Sequence, residues 1–348
     1  MQSFSDVLNR LADPAFEAFS RREAFDALSF IVRGDANEAQ TAAFLFGMRR
    51  KGETIDELTG FVQAMRKAMI SIDVDISGAV DVCGTGGDHS GSFNISTAAM
   101  FVVAGAGVPV AKHGNRSISS KSGSSDVLTA LGGVAELPPE AAARCFEETG
   151  LCFMFAPLFH PAMKYVMPAR RNLRMRTFFN IMGPLLNPAG VKRQMLGTYN
   201  DDVARLSAGI LKELGSEAAF TVHSEDGMDE LSTAAASRAY PVCNGELGAP
   251  LDITPESLGL RRITHDEIKG GDQYRNAEII RNILHDKATE AQRDIVLLNA
   301  AYAIQAGGKA DTAAEGLTLA RESIHSGNAA QKLDAFCEAT QRLKPQPT

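Results

Sequence analysis

The chain has 348 residues, 45% hydrophobic and 22% charged, which is the balance of a folded protein with ample apolar surface to bury. At that length two domains are expected, and a net charge of -7 argues against a surface built to neutralise nucleic-acid phosphates, so the partner should be small. Five widely spaced cysteines with no C-x-x-C pair suggest neither a disulfide framework nor a zinc site, and no apolar run reaches the length of a membrane span. A cytoplasmic protein without a membrane or nucleic-acid partner is expected.

The first 70 residues read as successive helices. Phe4, Val7, Leu8 and Leu11 follow the i, i+3, i+4, i+7 spacing that puts apolar side chains on one helical face. Ser20 with Glu23, and Thr54 with Glu57, have the S/T-x-x-E spacing of a reciprocal N-terminal cap. Gly34 and Gly52 each follow a basic residue and suit helix ends.

From Ala79 onward short β-prone runs alternate with turns and helical stretches. Ala79 to Cys83, Val108 to Ala111, Met195 to Tyr199 and Ala219 to His223 read as strands, and Asp201 to Leu214 as a helix. The alternation predicts an α/β fold with a mostly parallel sheet covered by helices, set beside a small all-helical domain. Ligands of such sheets sit beyond the carboxyl ends of the strands. Lys344 to Thr348 reads as a loose tail.

The loop after the first strand is Gly84-Thr85-Gly86-Gly87-Asp88, followed by Ser92, Asn94, Ile95, Ser96 and Thr97 at the start of a helix. Glycines allow close backbone approach, and free N–H groups at a helix start bind phosphate oxygens. The spacing is neither a Walker loop nor a dinucleotide fingerprint, and taken alone the stretch is also readable as a tight strand-to-helix turn. After the second strand, Lys112 to Asp126 gathers three cations and six serines around Gly114 and Gly123. That composition suits a phosphate or pyrophosphate; a Gly/Ser linker is the bland alternative.

Taken together, GTGGD…SFNIST and KHGNRSISSKSGSSD resemble the signature of the anthranilate phosphoribosyltransferases. Further matches are His160 to Lys164, Met167 to Arg170, Arg176-Thr177 through Asn180, Gly183 to Leu185, Asn187-Pro188 and Asp226 to Glu230, so that the resemblance runs to about Leu333. It implies that phosphoribosyl pyrophosphate is held by Gly84, Gly87, Asp88, Ser92, Asn94, Ile95, Ser96 and Thr97. In the second segment it implies Lys112, His113, Gly114, Asn115, Arg116, Ser117, Ile118, Ser119, Ser120 and Ser124. It implies anthranilate near Gly84, Asn115 and Arg170, and magnesium, as two ions, at Ser96, Asp229 and Glu230. No side chain is singled out as an acid or base.

The resemblance also implies that the helical domain comprises residues 1–70 with a returning piece near 166–188, and that 71–348 less that piece form the α/β domain. A homodimer through the helical domain is implied as well. Two departures stand beside Arg170: Arg174 occupies a position that is glycine in the family's L-G-x-R-T stretch, and Asn172 replaces an acidic residue. They bear on the aromatic pocket. Nucleoside phosphorylases, which share the implied fold, carry a different phosphate loop, and a non-catalytic phosphate binder could dispense with Asp229, Glu230 and Arg170, all present here.

Overall fold

The computed structural model describes residues 3–116 and 122–345. Four helices open the chain: α1 (Phe4–Ala12), α2 (Arg21–Val32), α3 (Glu38–Lys51) and α4 (Ile55–Ala68). The Ser20–Glu23 and Thr54–Glu57 caps form reciprocally, and Gly34 and Gly52 take φ of 86° and 85° just past their helices. Glu57 does more than cap. Buried, it also accepts from Phe19 N at 2.9 Å and pairs with Lys51 at 2.8 Å, so it ties the α1–α2 connection to α4.

The larger part starts with β1 (Val80–Gly84), α5 (Ile95–Gly105), β2 (Val110–Gly114), α6 (Ser124–Ala130), α7 (Pro139–Thr149) and β3 (Leu151–Phe155). Short helices α8 (Ala156–Phe159), α9 (Met167–Leu173) and α10 (Phe179–Met182) lead to β4 (Arg193–Gly197), α11 (Asp201–Glu213) and β5 (Ala218–Ser224). Then follow β6 (Ser237–Cys243), β7 (Glu246–Leu247), β8 (Leu251–Ile253), α12 (Gln273–Leu284), α13 (Glu290–Ala306), α14 (Ala313–His325) and α15 (Asn328–Leu343).

The strands form one sheet in the order β3-β2-β1-β4-β5-β6-β7, with β8 also on β6; the first five are parallel and β6 onward antiparallel. The chain leaves β1 for β2 and β3 on one side and later returns to β4 and β5 on the other. The crevice between β1 and β4 is therefore the topological switch point, where such sheets bind ligands.

Side chains alternate across this sheet. Val80, Val82, Met195 and Val222 face a core shared with α5 and α12 to α15, while Cys83, Leu196, Ala219 and Tyr240 face α11 and the helical bundle. Helix α5 is apolar on all sides because it is enclosed by the sheet, α13 and α15. The stretch 166–186 packs into the bundle's core: Phe178, 2% exposed, stacks on Phe61 at 4.5 Å and meets Phe44 edge-on at 6.2 Å. Burying one such ring is worth roughly 1.5–3 kcal/mol.

Two strand boundaries differ from the sequence reading in a way that matters. Gly84 closes β1, and Lys112, His113 and Gly114 lie within β2, because β2 pairs with β3 in register from Val110–Leu151 to Gly114–Phe155. In the second segment β2 ends at Gly114, so Asn115 and Arg116 lie past the sheet. The sequence reading also missed β3, whose Leu-Cys-Phe-Met-Phe is buried at every position and so lacks alternation.

Candidate active site

A cleft of about 1110 Å³ opens at the carboxyl ends of β1, β2 and β4, between the sheet and the segment 160–186. Of the residues expected to bind substrates or metal, Ser117, Ile118, Ser119 and Ser120 lie outside the described residues. All the others line this cleft. Residues as far apart in the chain as Gly86 and Asp229, 143 positions, thus meet because the switch point brings β1 and β4 together.

The glycine loop leaves β1 with Gly86 and Gly87 at φ of 67° and 77°, values that a side chain would strain. Its geometry is keyed to the loop carrying Asp229. Gly86 N donates to Asp229 Oδ2 at 2.6 Å, and Asp229 N donates to Asp88 Oδ2 at 3.4 Å. The paired strand ends Gly84 and Gly197 leave room for that loop: a Cβ on Gly84 would stand 2.5 Å from Asp229 Oδ2. Behind the carboxylates, buried Asn299 accepts from Leu231 N and donates to Leu231 O, both at 2.9 Å, so the backbone after Glu230 is clamped from α13.

Helix α5 points its start into the cleft with no side-chain cap. Asn94, in the capping position, is used elsewhere: Nδ2 donates to Ser122 O at 3.2 Å and Oδ1 accepts from Asn276 Nδ2 at 2.9 Å. Ser96 N donates to Glu230 Oε1 at 3.1 Å. The Thr97 hydroxyl is buried without a partner among the described residues, an unmet polar group at the helix start, where phosphate oxygens bind. Ser90 and Ser92 hydroxyls meet at 3.1 Å, and Ser92 pairs as a bridge with Lys269 on the far wall.

Lys112, 2% exposed, reaches from β2 under the loop, donating from Nζ to Val82 O and, at 3.3 Å, to Ser96 Oγ. Fully buried Asp81 accepts from His113 N at 3.2 Å and from Asn187 Nδ2 at 2.8 Å; burial raises its pKa, and Lys112 is the largest opposing influence. Burial also raises the pKa values of Asp229 and Glu230. For Asp229 the next cause is Asp88, and for Glu230 it is Asp229, partly offset by Lys112. Half-buried carboxylates clustered in this way want a cation. Oxygen donors from two carboxylates and Ser96, beside an open cleft, fit magnesium, which keeps several waters and shares substrate oxygens. Among the described residues no group of three or more His, Cys, Asp or Glu side chains forms a full metal cage.

At the other end of the cleft, Arg170 on α9 is half-buried, its guanidinium 5.3 Å from the Phe179 ring centre and its pKa lowered by burial. Arg171, one position on, also lines the cleft but is exposed. Asn115 is exposed, its carbonyl accepting from Ser124 Oγ at 3.1 Å. Arg116 pairs with Glu136 and lies over the Phe155 ring at 5.6 Å. His113 and His160 pair through their Nε2 atoms at 3.2 Å, and burial pushes their pKa values down to about 3 and about 4. Both are neutral near pH 7, one Nε2 donating and the other accepting. They furnish this end of the cleft with a polar wall that carries no charge.

The departures beside Arg170 have local explanations. Arg174 ends α9 at φ 49°, the left-handed conformation that explains why glycine suits this position. Asn172 donates to Glu38 Oε1 at 2.5 Å, a contact an acidic residue would turn into repulsion.

Some cleft residues were not anticipated from the sequence: Arg176, Tyr199, Lys269 and Asn276. Arg176 stands in a stretch that resembles the family but was given no role, and Asn276 carries no local signal; Tyr199 at the end of a strand was the one that position alone could have flagged.

The chain matches the models of two parts of one family, the helical bundle domain of a glycosyl transferase family over residues 5–69 and its a/b domain over 77–330. It is 47% identical over 346 residues to an anthranilate phosphoribosyltransferase of Azorhizobium caulinodans, covering 99% of both chains. The relative from Moorella thermoacetica is 48% identical over 322 residues, 92% of this chain and 94% of its own. Among solved structures, the anthranilate phosphoribosyltransferase of Thermus thermophilus superposes with a TM-score of 0.91 at 35% identity, over 98% of this chain and 100% of that one. That of Saccharomyces cerevisiae in complex with PRPP and Mg gives 0.89 at 25% identity, over 97% and 98%.

Proposed function

We propose, for a chain that belongs to the anthranilate phosphoribosyltransferase family, a division of its cleft into a sugar-diphosphate half, a metal corner and an aromatic half. The reaction is the transfer of the phosphoribosyl group of 5-phosphoribosyl 1-pyrophosphate to the amine of anthranilate, giving N-(5-phosphoribosyl)anthranilate and pyrophosphate in tryptophan biosynthesis. The observation that carries the division is the half-buried Asp229–Glu230 pair facing the glycine loop, beside Lys112 and a Thr97 hydroxyl with no partner among the described residues.

In this reading Gly84 to Asp88, Ser92 to Thr97 and Lys112 to Ser120 with Ser124 hold phosphoribosyl pyrophosphate. Asp229, Glu230 and Ser96 hold magnesium, two ions in all, which supplies positive charge to the departing pyrophosphate. Lys112 and the amides at the start of α5 add to that stabilisation from a fixed, partly dry setting. Arg170 takes the anthranilate carboxylate through parallel donors, and Asn115 with Gly84 fixes the ring so that its amine faces the anomeric carbon. The aromatic amine is unprotonated near neutrality, and the neutral His113–His160 pair makes no demand for its proton, so orientation suffices without a side-chain base. The helical domain is taken as residues 1–70 with 166–188 returning, the remainder of 71–348 as the α/β domain, the assembly as a homodimer, and the location as cytoplasmic.

The test follows anthranilate fluorescence on adding phosphoribosyl pyrophosphate, with and without magnesium. Loss of fluorescence that needs both is expected. No loss at any magnesium concentration, or phosphorolysis of a nucleoside in its place, would remove the reading.

A further inference from the structure

Arg176 stands on the irregular stretch between α9 and α10, six residues past Arg170 and on the helical side of the cleft. Two contacts fix its guanidinium. Nη2 donates to Gly87 O at 2.9 Å, and the charge lies 4.1 Å from the centre of the Tyr199 ring. Tyr199 is itself locked to the glycine loop, its N–H donating to Thr85 Oγ1 at 3.2 Å while Thr85 N donates to Gly197 O at 2.9 Å. The guanidinium is thus carried by the same loop that Asp229 grips from the other side.

Most long basic side chains with a fixed position here have a carboxylate to explain it, as Arg10 has Glu23 and Arg262 has Glu256. Arg176 pairs with no carboxylate among the described residues. Of its five N–H donors, one is used on protein. Stacking on Tyr199 and bonding to Gly87 spend the conformational freedom of a long exposed side chain, which is a cost unless the remaining donors meet something. What adjoins them is the open cleft next to Asp88, whose carboxylate receives Asp229 N. The ligand that suits a planar fork of free donors there is a phosphate group.

We infer that Arg176 is a further substrate-binding residue, contacting the pyrophosphate of phosphoribosyl pyrophosphate from the helical side of the cleft, opposite Lys112. The inference rests on the assignment of the glycine loop to that substrate. It makes the short segment 170–176 serve both substrates, Arg170 the carboxylate of one and Arg176 the diphosphate of the other.

Calorimetry on the full chain with magnesium present tests it, using phosphoribosyl pyrophosphate, inorganic pyrophosphate and ribose 5-phosphate as separate probes. Arg176→Gln should weaken the first two by at least about 10-fold, the loss expected for a charged hydrogen-bond donor, and leave ribose 5-phosphate unchanged. Arg176→Lys, which keeps charge without the fork, should recover part of the loss. Thermal melts verify that both variants fold. Unchanged pyrophosphate binding by Arg176→Gln overturns the assignment, as does an equal loss for ribose 5-phosphate, which would mean general collapse of the loop. A defect confined to anthranilate would move Arg176 to the aromatic half. A wild-type chain that binds neither pyrophosphate nor phosphoribosyl pyrophosphate would instead overturn the assignment of the glycine loop, and this inference with it.

Discussion

Replacing Gly197 by Ala adds one methyl group at the end of β4, outside the lining of the cleft, yet it should disable the enzyme. Gly197 lies beside Gly84 in register, and the backbone of Asp229 crosses directly over both. A Cβ on Gly197 would come within less than half of an ordinary 3.4 Å contact of Asp229 O, so the loop must withdraw by roughly 2 Å. Overpacking of this kind costs about 1–3 kcal/mol, which a chain of this size survives. Misplacing a catalytic constellation by about 1 Å costs on the order of 100-fold, so turnover should fall by at least that much. At Gly84 the atom met first is the side-chain Oδ2 of Asp229 at 2.5 Å, with Asp229 O at 3.3 Å, so rotation of the carboxylate relieves much of the clash. Gly84→Ala should therefore be milder, on the order of 10-fold by the same scaling. Magnesium titrations of initial rate, read by anthranilate fluorescence, should show a raised magnesium requirement in both, larger for Gly197→Ala. A folded Gly197→Ala protein with wild-type rate and magnesium dependence would refute the reasoning.

Replacing Asp229 and Glu230 together by Ala should lower turnover at least about 100-fold at saturating magnesium. Their raised pKa values mean that the folded chain binds protons more tightly than the unfolded one, so without magnesium stability falls as pH rises above the ordinary carboxylate range. Magnesium should recover that stability, and Asp229→Asn should withstand denaturant better than wild type when no metal is added; equal midpoints at pH 8 would contradict this. Arg170→Ala should raise the apparent constant for anthranilate by roughly 10- to 150-fold and leave that for phosphoribosyl pyrophosphate almost unchanged, with Arg171→Ala far weaker; the reverse ranking would shift the assignment by one residue. His113 and His160, with pKa values down to about 3 and about 4, bind protons less well folded than unfolded, so stability is full above about pH 6.5 and is lost as pH falls toward 4. The cost is roughly 2 kcal/mol per imidazole at pH 5, and urea midpoints that fall no further below pH 6 than those of His113→Gln would exclude it.

What could be read from the sequence was what short spacing encodes. The caps at Ser20 and Thr54 and the glycine turn at 84–88 are set by neighbours within a few residues, and they stand where expected. Helix α11 was placed to within one residue, because Asn200 caps it and its apolar face is regular. Strand β3 was invisible because burial on both faces erases alternation. The antiparallel edge of β6 to β8 was equally invisible, since nothing within a strand tells its direction. Motif-bearing residues of the cleft were legible through resemblance; the role of Arg176, which lies in such a motif, and those of Asn276 and of Asn299 behind the cleft depend on partners 89, 182 and 68 positions away. Arg174 shows the limit from the other side: its sequence marks an oddity, and only φ 49° explains what the position asks of its occupant.

The stacking of Phe178 on Phe61 also sets a schedule for biosynthesis. A ribosome that has finished α4 at Ala68 has made every helix of the N-terminal bundle, but the rings and aliphatic groups that close its core, Val166 to Leu186, do not yet exist. At about 5–20 residues per second, the intervening stretch of chain takes roughly 6–24 s to emerge. For that interval Phe44 and Phe61 have each other and Phe4 as ring neighbours, but not Phe178, which packs on both in the finished chain. The four N-terminal helices are thus complete as helices well before the segment that closes their core has been synthesised, and a pause in translation before Phe178 would lengthen that interval.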